Sequence, residues 1–261
     1  MSGTFRLYPS SLLCNFGISS YICALIPQCT TVDMDNRYSE FRKDAAAFIS
    51  NDRIYTDALR CFAWGTDAGF YRLVPKIVIR AKNESEVSRL LHLASRHSIP
   101  VTFRAAGTSL SGQSVSYSVL IVAGKNWESY SCNADASQIT LQPGVIGSTV
   151  NDILRPYGRK FGPDPASIKS CMVGGIVMNN ASGMSCGTAA NSDRMLLNAR
   201  IVFADGYVLD TADPDNRKDF LHTHSHIVDA ILALRDEVRS DASLVDRIKV
   251  KYSIKNVTGL N

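Results

Sequence analysis

The sequence has no C-x-x-C pair. Its seven cysteines (Cys14, Cys23, Cys29, Cys61, Cys132, Cys171 and Cys186) are odd in number and irregularly spaced. That pattern argues against a zinc site or an iron–sulfur cluster and for a reducing compartment. Basic runs with interleaved aromatics are also missing, and a net charge of +4 is too dispersed for a nucleic-acid partner. No apolar stretch is long enough to span a bilayer. The best of them, Ser11 to Ile26, is broken by Asn15, Gly17 and the serine pair Ser19-Ser20. Two nucleotide signatures are absent as well. No Gly-x-Gly-x-x-Gly follows a strand, and Gln113 stands where a phosphate-binding NTPase loop needs its lysine. A glutamine brings no charge to β- and γ-phosphates, so ATP chemistry is excluded.

What is present centres on PVTFRAAGTSLSGQ, residues 100–113. Val101, Thr102 and Phe103 read as a short buried strand. A loop of small residues follows: Ala105, Ala106, Gly107, Thr108, Ser109, Leu110, Ser111, Gly112 and Gln113. Such a loop lets backbone N–H groups converge, and glycines reach the positive φ angles of a concave nest. Hydroxyls of Thr108, Ser109 and Ser111 add donors, and Arg104 adds a fixed positive charge. This is the chemistry of a pyrophosphate cradle without ATP chemistry, which a flavin dinucleotide fits. The competing reading is a tight turn of small residues under a helix.

With 45% hydrophobic and 20% charged residues, the chain has an ordinary globular composition, and 261 residues suffice for a sizeable core. Residues 1–35 stand apart as an extension with one basic residue before Val32, Arg6, and read as a disordered leader. The expected address is the cytoplasm, with a mitochondrion second. Asn36 to Ser50 predicts a helix with Tyr38, Phe41, Ala45 and Phe48 on one side. Ile54 to Leu73 is aromatic, polar and non-periodic, and reads as ordered loop. A β-α-β unit follows: Lys76 to Ile79, then a helix capped at Asn83 with Glu86 three residues on, then Val101 to Phe103. Val87, Leu90, Leu91 and Ala94 form the helix stripe. The cradle thus lies at the carboxyl end of a parallel strand, where ligand loops belong. Val119 to Ala123 is a third strand.

The second half mixes short strands and helices. Ile139 to Gln142 leads into Pro143-Gly144-Val145, and Thr149 to Tyr157 is helical. Pro163-Asp164-Pro165-Ala166-Ser167 is a loop held rigid by its prolines. Gly174-Gly175-Ile176 runs on to Asn179-Asn180-Ala181-Ser182-Gly183, where glycines allow a flat ligand to approach and amides offer donors and acceptors. Arg200 to Asp210 reads as a hairpin turning at Asp205-Gly206. Ile227, Val228, Ile231, Leu234 and Val238 mark a packing helix, with another over Leu244 to Ile248. Segregated strands and helices argue α+β. The expected organisation is one domain over 36–261, with subdomains of about 55–125 and 126–261.

Seven collinear stretches carry a resemblance: TDAGFYRLVPK, PVTFRAAGTSLSGQ, LQPGVIG, GRKFGPDPASI, GGIVMNNASGMSCGT, ADGYVLDT and KYSIKNVTG. Together they resemble the PCMH-type FAD-binding domain of the FAD-linked oxidase family, with D-lactate and D-2-hydroxy-acid dehydrogenases closest. The resemblance implies two α/β subdomains and FAD held without a covalent bond, since no histidine lies in or beside the Arg104–Gln113 loop. It implies that this loop holds the diphosphate. It further implies that Pro143–Val145, Pro163–Ser167 and Gly174–Gly183 line the ribityl chain and ring. The implied reaction is hydride transfer from the α-carbon of a small D-2-hydroxy acid to flavin N5, giving a 2-oxo acid, with an unidentified electron acceptor.

That family's chain continues past the KN-T-TG motif into a substrate-capping domain, so this chain is expected to be truncated at its C-terminal end. The family's catalytic histidine and metal ligands usually lie in that part. No catalytic residue and no metal ligand is therefore assigned. The alternative expectation is a non-catalytic flavin-binding fragment, or a split-gene half needing a partner chain. Individual residues keep two readings each. Arg104 contacts the diphosphate or forms a surface salt bridge. Asn179 and Asn180 bond the flavin edge or cap a turn. Cys186 approaches the flavin or is an inert buried thiol. Lys255 and Asn256 reach the cofactor region or fray at the terminus. His222, His224 and His226 alternate as a chelate would, but the stripe from Ile227 places them at a helix entry and argues against a metal.

Overall fold

Val119-Leu120-Ile121-Val122 is apolar at every position and forms strand β4, buried on both faces. In the computed structural model the described residues are 36–183, 186 and 189–251. The leader, Lys255 and Asn256, and the KYSIKNVTG stretch beyond Lys251 lie outside them.

Strand β4 runs parallel between β2 (Ile77–Arg80) and β3 (Val101–Arg104), with Val119 level with both Ile77 and Val101. A two-residue strand β1 (Ile54–Tyr55) pairs antiparallel with the far side of β2. Side chains alternate across the sheet. Ile77, Ile79, Val119 and Ile121 meet Tyr38, Phe41 and Ala45 of helix α1 (Asn36–Ala45) and the Val87, Leu90, Leu91, Ala94 stripe. That stripe belongs to helix α3 (Glu84–Arg96). Val78, Leu120 and Val122 face the other way, onto Cys61 of helix α2 (Ala58–Ala63). Burial pushes the Cys61 thiol up to about 11, so it stays protonated and inert.

Two expectations are corrected here. Strand β3 is not buried: it is the sheet edge, and Phe103 is 49% exposed. An apolar run does not by itself distinguish a central strand from an edge one. Ile54 to Leu73 is not all loop, since it holds β1 and α2, both too short to carry a period.

The start of α3 is fixed by a local cap and a distant ion pair. Asn83 Oδ1 accepts from the Glu86 amide at 2.9 Å. The Glu86 carboxylate does not close the box on Asn83. It accepts from the Lys82 amide at 2.8 Å and from Arg53 at 2.7 and 2.8 Å. Arg53 also donates to the Arg80 carbonyl, so one buried pair joins the end of β2 to α3.

The second half holds two antiparallel hairpins and short helices, which with the parallel sheet gives the α+β class. Strands β5 (Tyr130–Cys132) and β6 (Ile139–Leu141) pair, as do β7 (Arg200–Val202) and β8 (Val208–Asp210). Helices α4 (Gly147–Leu154) and α5 (Val173–Met178) share a small core of Val145, Val150, Leu154 and Val173 with Ala136. A four-residue helix α6 (Ser192–Met195) precedes β7. The β7–β8 turn seats on α3, where Ser88 Oγ donates to the Gly206 carbonyl and Arg200 pairs with Glu84 at 2.7 Å.

Helices α7 (Pro214–Thr223), α8 (Ser225–Ser240) and α9 (Ala242–Lys251) complete the described chain. Helix α8 forms where the stripe predicts it, but it buries no residue, and Ile231 and Leu234 are each 61% exposed. Periodicity shows which residues share a face and not what covers that face. His224, at the α7–α8 junction, is buried, stacks on Phe220 and meets Asp205 at 2.8 Å. Among the described residues no helix is long and apolar enough to cross a membrane.

The Arg53–Glu86 pair sets an acid limit. Burial raises the Glu86 pKa, but the hydrogen bonds from Arg53 and the Lys82 amide outweigh it and hold the carboxyl below its usual value. A depressed folded pKa gives stability that is present above the unfolded value of about 4.3 and lost as pH falls through the folded one. Urea titrations from pH 7 to 3 should therefore show the wild type losing stability below about pH 4. Glu86→Gln should be weaker at pH 7 and show a flatter acid limb.

Candidate functional site

Strand β3 ends at Arg104, and the chain turns into the small-residue loop at the carboxyl end of the parallel sheet. Gly107 and Gly112 each take a φ of +71°, which L side chains rarely adopt. Within the loop Ser109 Oγ donates to Gln113 Oε1 at 2.9 Å and accepts from the Ser111 amide at 3.1 Å. The five consecutive amides of Ala106, Gly107, Thr108, Ser109 and Leu110 have no acceptor among the described residues. Backbone N–H groups are obligatory donors, so such a run calls for a ligand or water with several acceptor oxygens.

The other predicted segments gather around this loop. Gln113 Nε2 donates to Asn179 Oδ1 at 3.3 Å, tying the loop to the end of α5. Gly175, on α5, faces Ala105, and a Cβ there would stand 4.0 Å from the Ala105 Cβ, in ordinary contact. The Gly174 amide donates to the Pro143 carbonyl at 2.9 Å, which sets Pro143–Val145 against α5. Gly183 lies so close to Asp164 that a Cβ there would overlap the Asp164 carbonyl oxygen. The Pro163–Ser167 loop is thereby joined to the end of the Asn179–Gly183 stretch. Ile176 and Pro163 are buried, whereas Leu110, Ser111 and Ala166 face outward.

The asparagines divide. Asn179 meets the loop, while Asn180, at φ +39°, accepts from the Asp193 amide at 2.8 Å and fixes the start of α6. Half of the Gly174–Gly183 stretch is helix α5, a feature its glycine pair conceals.

Arg104 is held from behind. Its Nη1 donates to the Thr66 carbonyl at 2.6 Å and lies 3.4 Å from that of Trp64, with the guanidinium over the Trp64 ring. Its buried Nε has no hydrogen-bond partner among the described residues. Burial lowers the Arg104 pKa and the Asp67 carboxylate opposes that. Sequence reasoning missed Trp64, Thr66 and Asp67 as neighbours of the loop; Thr66 and Asp67 were signalled only by the TDAGFYRLVPK stretch, which Trp64 precedes. It also missed Ser192, a buried hydroxyl 3.1 Å from both the Ile176 and Ala181 carbonyls that braces the turn after α5.

The donor set fits a dinucleotide diphosphate. Unpartnered amides and hydroxyls surround the loop, and a neutral, glycine-bearing helix stands beside it for a flat ring. Gly183→Ala should separate the Pro163–Ser167 loop from α5. A drop in melting temperature, together with weaker retention of bound flavin, would register this.

Comparison with known proteins agrees with this chemistry. A family profile described as FAD binding domain matches residues 75–212, just over half of the chain. Glycolate oxidase subunit GlcD of Escherichia coli (strain K12) is 31% identical over 141 residues, covering 53% of this chain and 28% of that protein. D-2-hydroxyglutarate dehydrogenase of Haemophilus influenzae is 24% identical over 220 residues, covering 78% of this chain and 21% of the relative. The chain thus spans between about a fifth and under a third of the length of these curated relatives. Among solved structures, p-cresol methylhydroxylase with substrate bound superposes with a TM-score of 0.58 at 15% identity, a likeness of fold. It covers 69% of this chain and 37% of that one. The cradle, the Pro143 and Pro163 segments and α5 all fall within the matched residues, and the chain belongs to the FAD binding domain family, with FAD as its cofactor.

Proposed function

We propose that this chain is the FAD-binding part of a D-2-hydroxy-acid dehydrogenase, holding the cofactor without a covalent bond. The run of unpartnered amides from Ala106 to Leu110 carries the reading. These amides, with the Thr108 and Ser111 hydroxyls, bind the diphosphate. The Gln113–Asn179 hydrogen bond holds that loop against α5, and Gly175 brings no side chain to the face of α5 that approaches Ala105, the face assigned to the ring. Bound FAD supplies the acceptor for the α-hydride of the substrate. Relatives named for glycolate and D-2-hydroxyglutarate support a small 2-hydroxy acid as substrate class.

A second reading has one observation in its favour: the chain spans only 28% and 21% of those two relatives. In that reading the chain binds flavin and oxidises nothing without further protein.

Two measurements test these readings. Titration of purified protein with FAD should give a yellow complex with quenched flavin fluorescence, and riboflavin, lacking the diphosphate, should bind at least about a hundredfold more weakly, since several charge-assisted hydrogen bonds are lost. Equal affinity for the two would remove the cradle from the site. Anaerobic addition of D-lactate, glycolate or D-2-hydroxyglutarate to the loaded chain then separates the readings. Bleaching by one of them establishes the dehydrogenase reading, and a flavin that stays oxidised with all three favours the second.

A further inference from the structure

The cradle has a second wall, formed by the end of α2 and the start of the TDAGFYRLVPK stretch, to which the resemblance assigns no role. Between α2 and β2 the chain runs from Trp64 to Arg72 as a strap lying across the loop. Four contacts bind strap to loop. Arg104 Nη1 donates to the Thr66 carbonyl at 2.6 Å. The Ala68 amide donates to the Gly107 carbonyl at 3.0 Å. Ser114 Oγ donates to Asp67 Oδ2 at 3.4 Å, while Asp67 Oδ1 accepts from the Gly69 amide at 2.8 Å. The Tyr71 ring lies against Gly112, 3.0 Å from where a Cβ would stand.

The contacts alternate with the loop's functional groups. The Gly107 carbonyl is taken by the strap, which turns the adjoining peptide units so that their N–H groups are left over. The Arg104 guanidinium sits over Gly107 so closely that a Cβ at that position would overlap it. The left-handed bend at Gly107 is therefore pinned from the strap side by Ala68 and by Arg104.

We propose that the Trp64–Arg72 strap is part of the FAD site: it holds the Ala106–Leu110 amides in their converging arrangement, with Arg104 as the positioning residue that latches it. This deepens the reading of the loop as the diphosphate cradle and rests on it. FAD affinity then depends on strap closure, and bound FAD protects the strap in return, because linkage is reciprocal.

Gly69→Val is the test, because it alters no residue of the cradle. A Cβ at Gly69 would stand 2.8 Å from the Leu110 carbonyl oxygen, so the added side chain wedges strap from loop. Arg104→Gln removes the latch by a second route. Limited trypsin digestion of the apo chain, with cleavage after Arg72 read by mass spectrometry, reports opening of the strap without reference to flavin. Both variants should be cut at Arg72 at least about fivefold faster than wild type, as local opening controls such cleavage. Their Kd for FAD should rise about tenfold or more. FAD should slow the cut in wild type and do so less in the variants. Faster cutting with unchanged FAD affinity in Gly69→Val overturns the proposal, as does unchanged cutting in both variants. A wild type that binds no FAD sinks the cradle reading instead.

Discussion

The place where β3 stops decides what the loop after it can do, and its ladder with β4 fixes that place. Arg104 is level with Val122, and the Ala123 amide still donates to the Arg104 carbonyl at 2.9 Å. Beyond this point β3 has no strand partner, so its peptide groups become free to turn. Strand β4 can dictate the boundary because both its faces are buried. One rests on the α1–α3 layer and the other on α2, leaving little freedom to slip by a residue. A one-residue slip would exchange Ile121 and Leu120 between layers of different shape and carry the loop with them.

The site that results works through neutral donors far more than through charge. No lysine lies between Val101 and Val122, and the single arginine spends a nitrogen on the Thr66 carbonyl. Backbone amides cannot be titrated and need no counterion, so the arrangement holds across physiological pH and depends on chain geometry alone. That dependence explains the density of close approaches around it. Gly183 admits no side chain against the Asp164 carbonyl, while Gly107 beneath Arg104 and Gly112 beneath Tyr71 hold a positive φ that favours glycine. Each removes a degree of freedom from a segment with little regular structure of its own.

How much of this could be read from the sequence depended on the range of the interaction. The Asn83 cap lies three residues from its donor and was legible. The true partner of Glu86, Arg53, is thirty-three residues away and carries no local mark. The small residues from Ala105 to Gly112 announced a cradle through their composition, because steric permission is a property of each residue. The strap opposite them did not, since Trp64, Thr66 and Asp67 acquire their role from where α2 ends. Asn179 and Asn180 looked equivalent, and a single positive φ turned one towards the loop and the other towards α6. The stripe on α8 was visible, but the lack of a covering layer was not, because a period says nothing about neighbours.

The strand order also bears on how the chain comes together during synthesis. Strand β4 is the last of the four to leave the ribosome, yet it occupies the middle of the sheet. Until Val122 has emerged, β3 has no edge to join and β2 has only the two residues of β1 beside it. Ile77 must wait about forty residues, and Val101 about twenty, for their shared partner Val119 to be made, and such non-local parallel pairing is slow. Nascent chains halted before Val119 should be the stage at which chaperones are most needed.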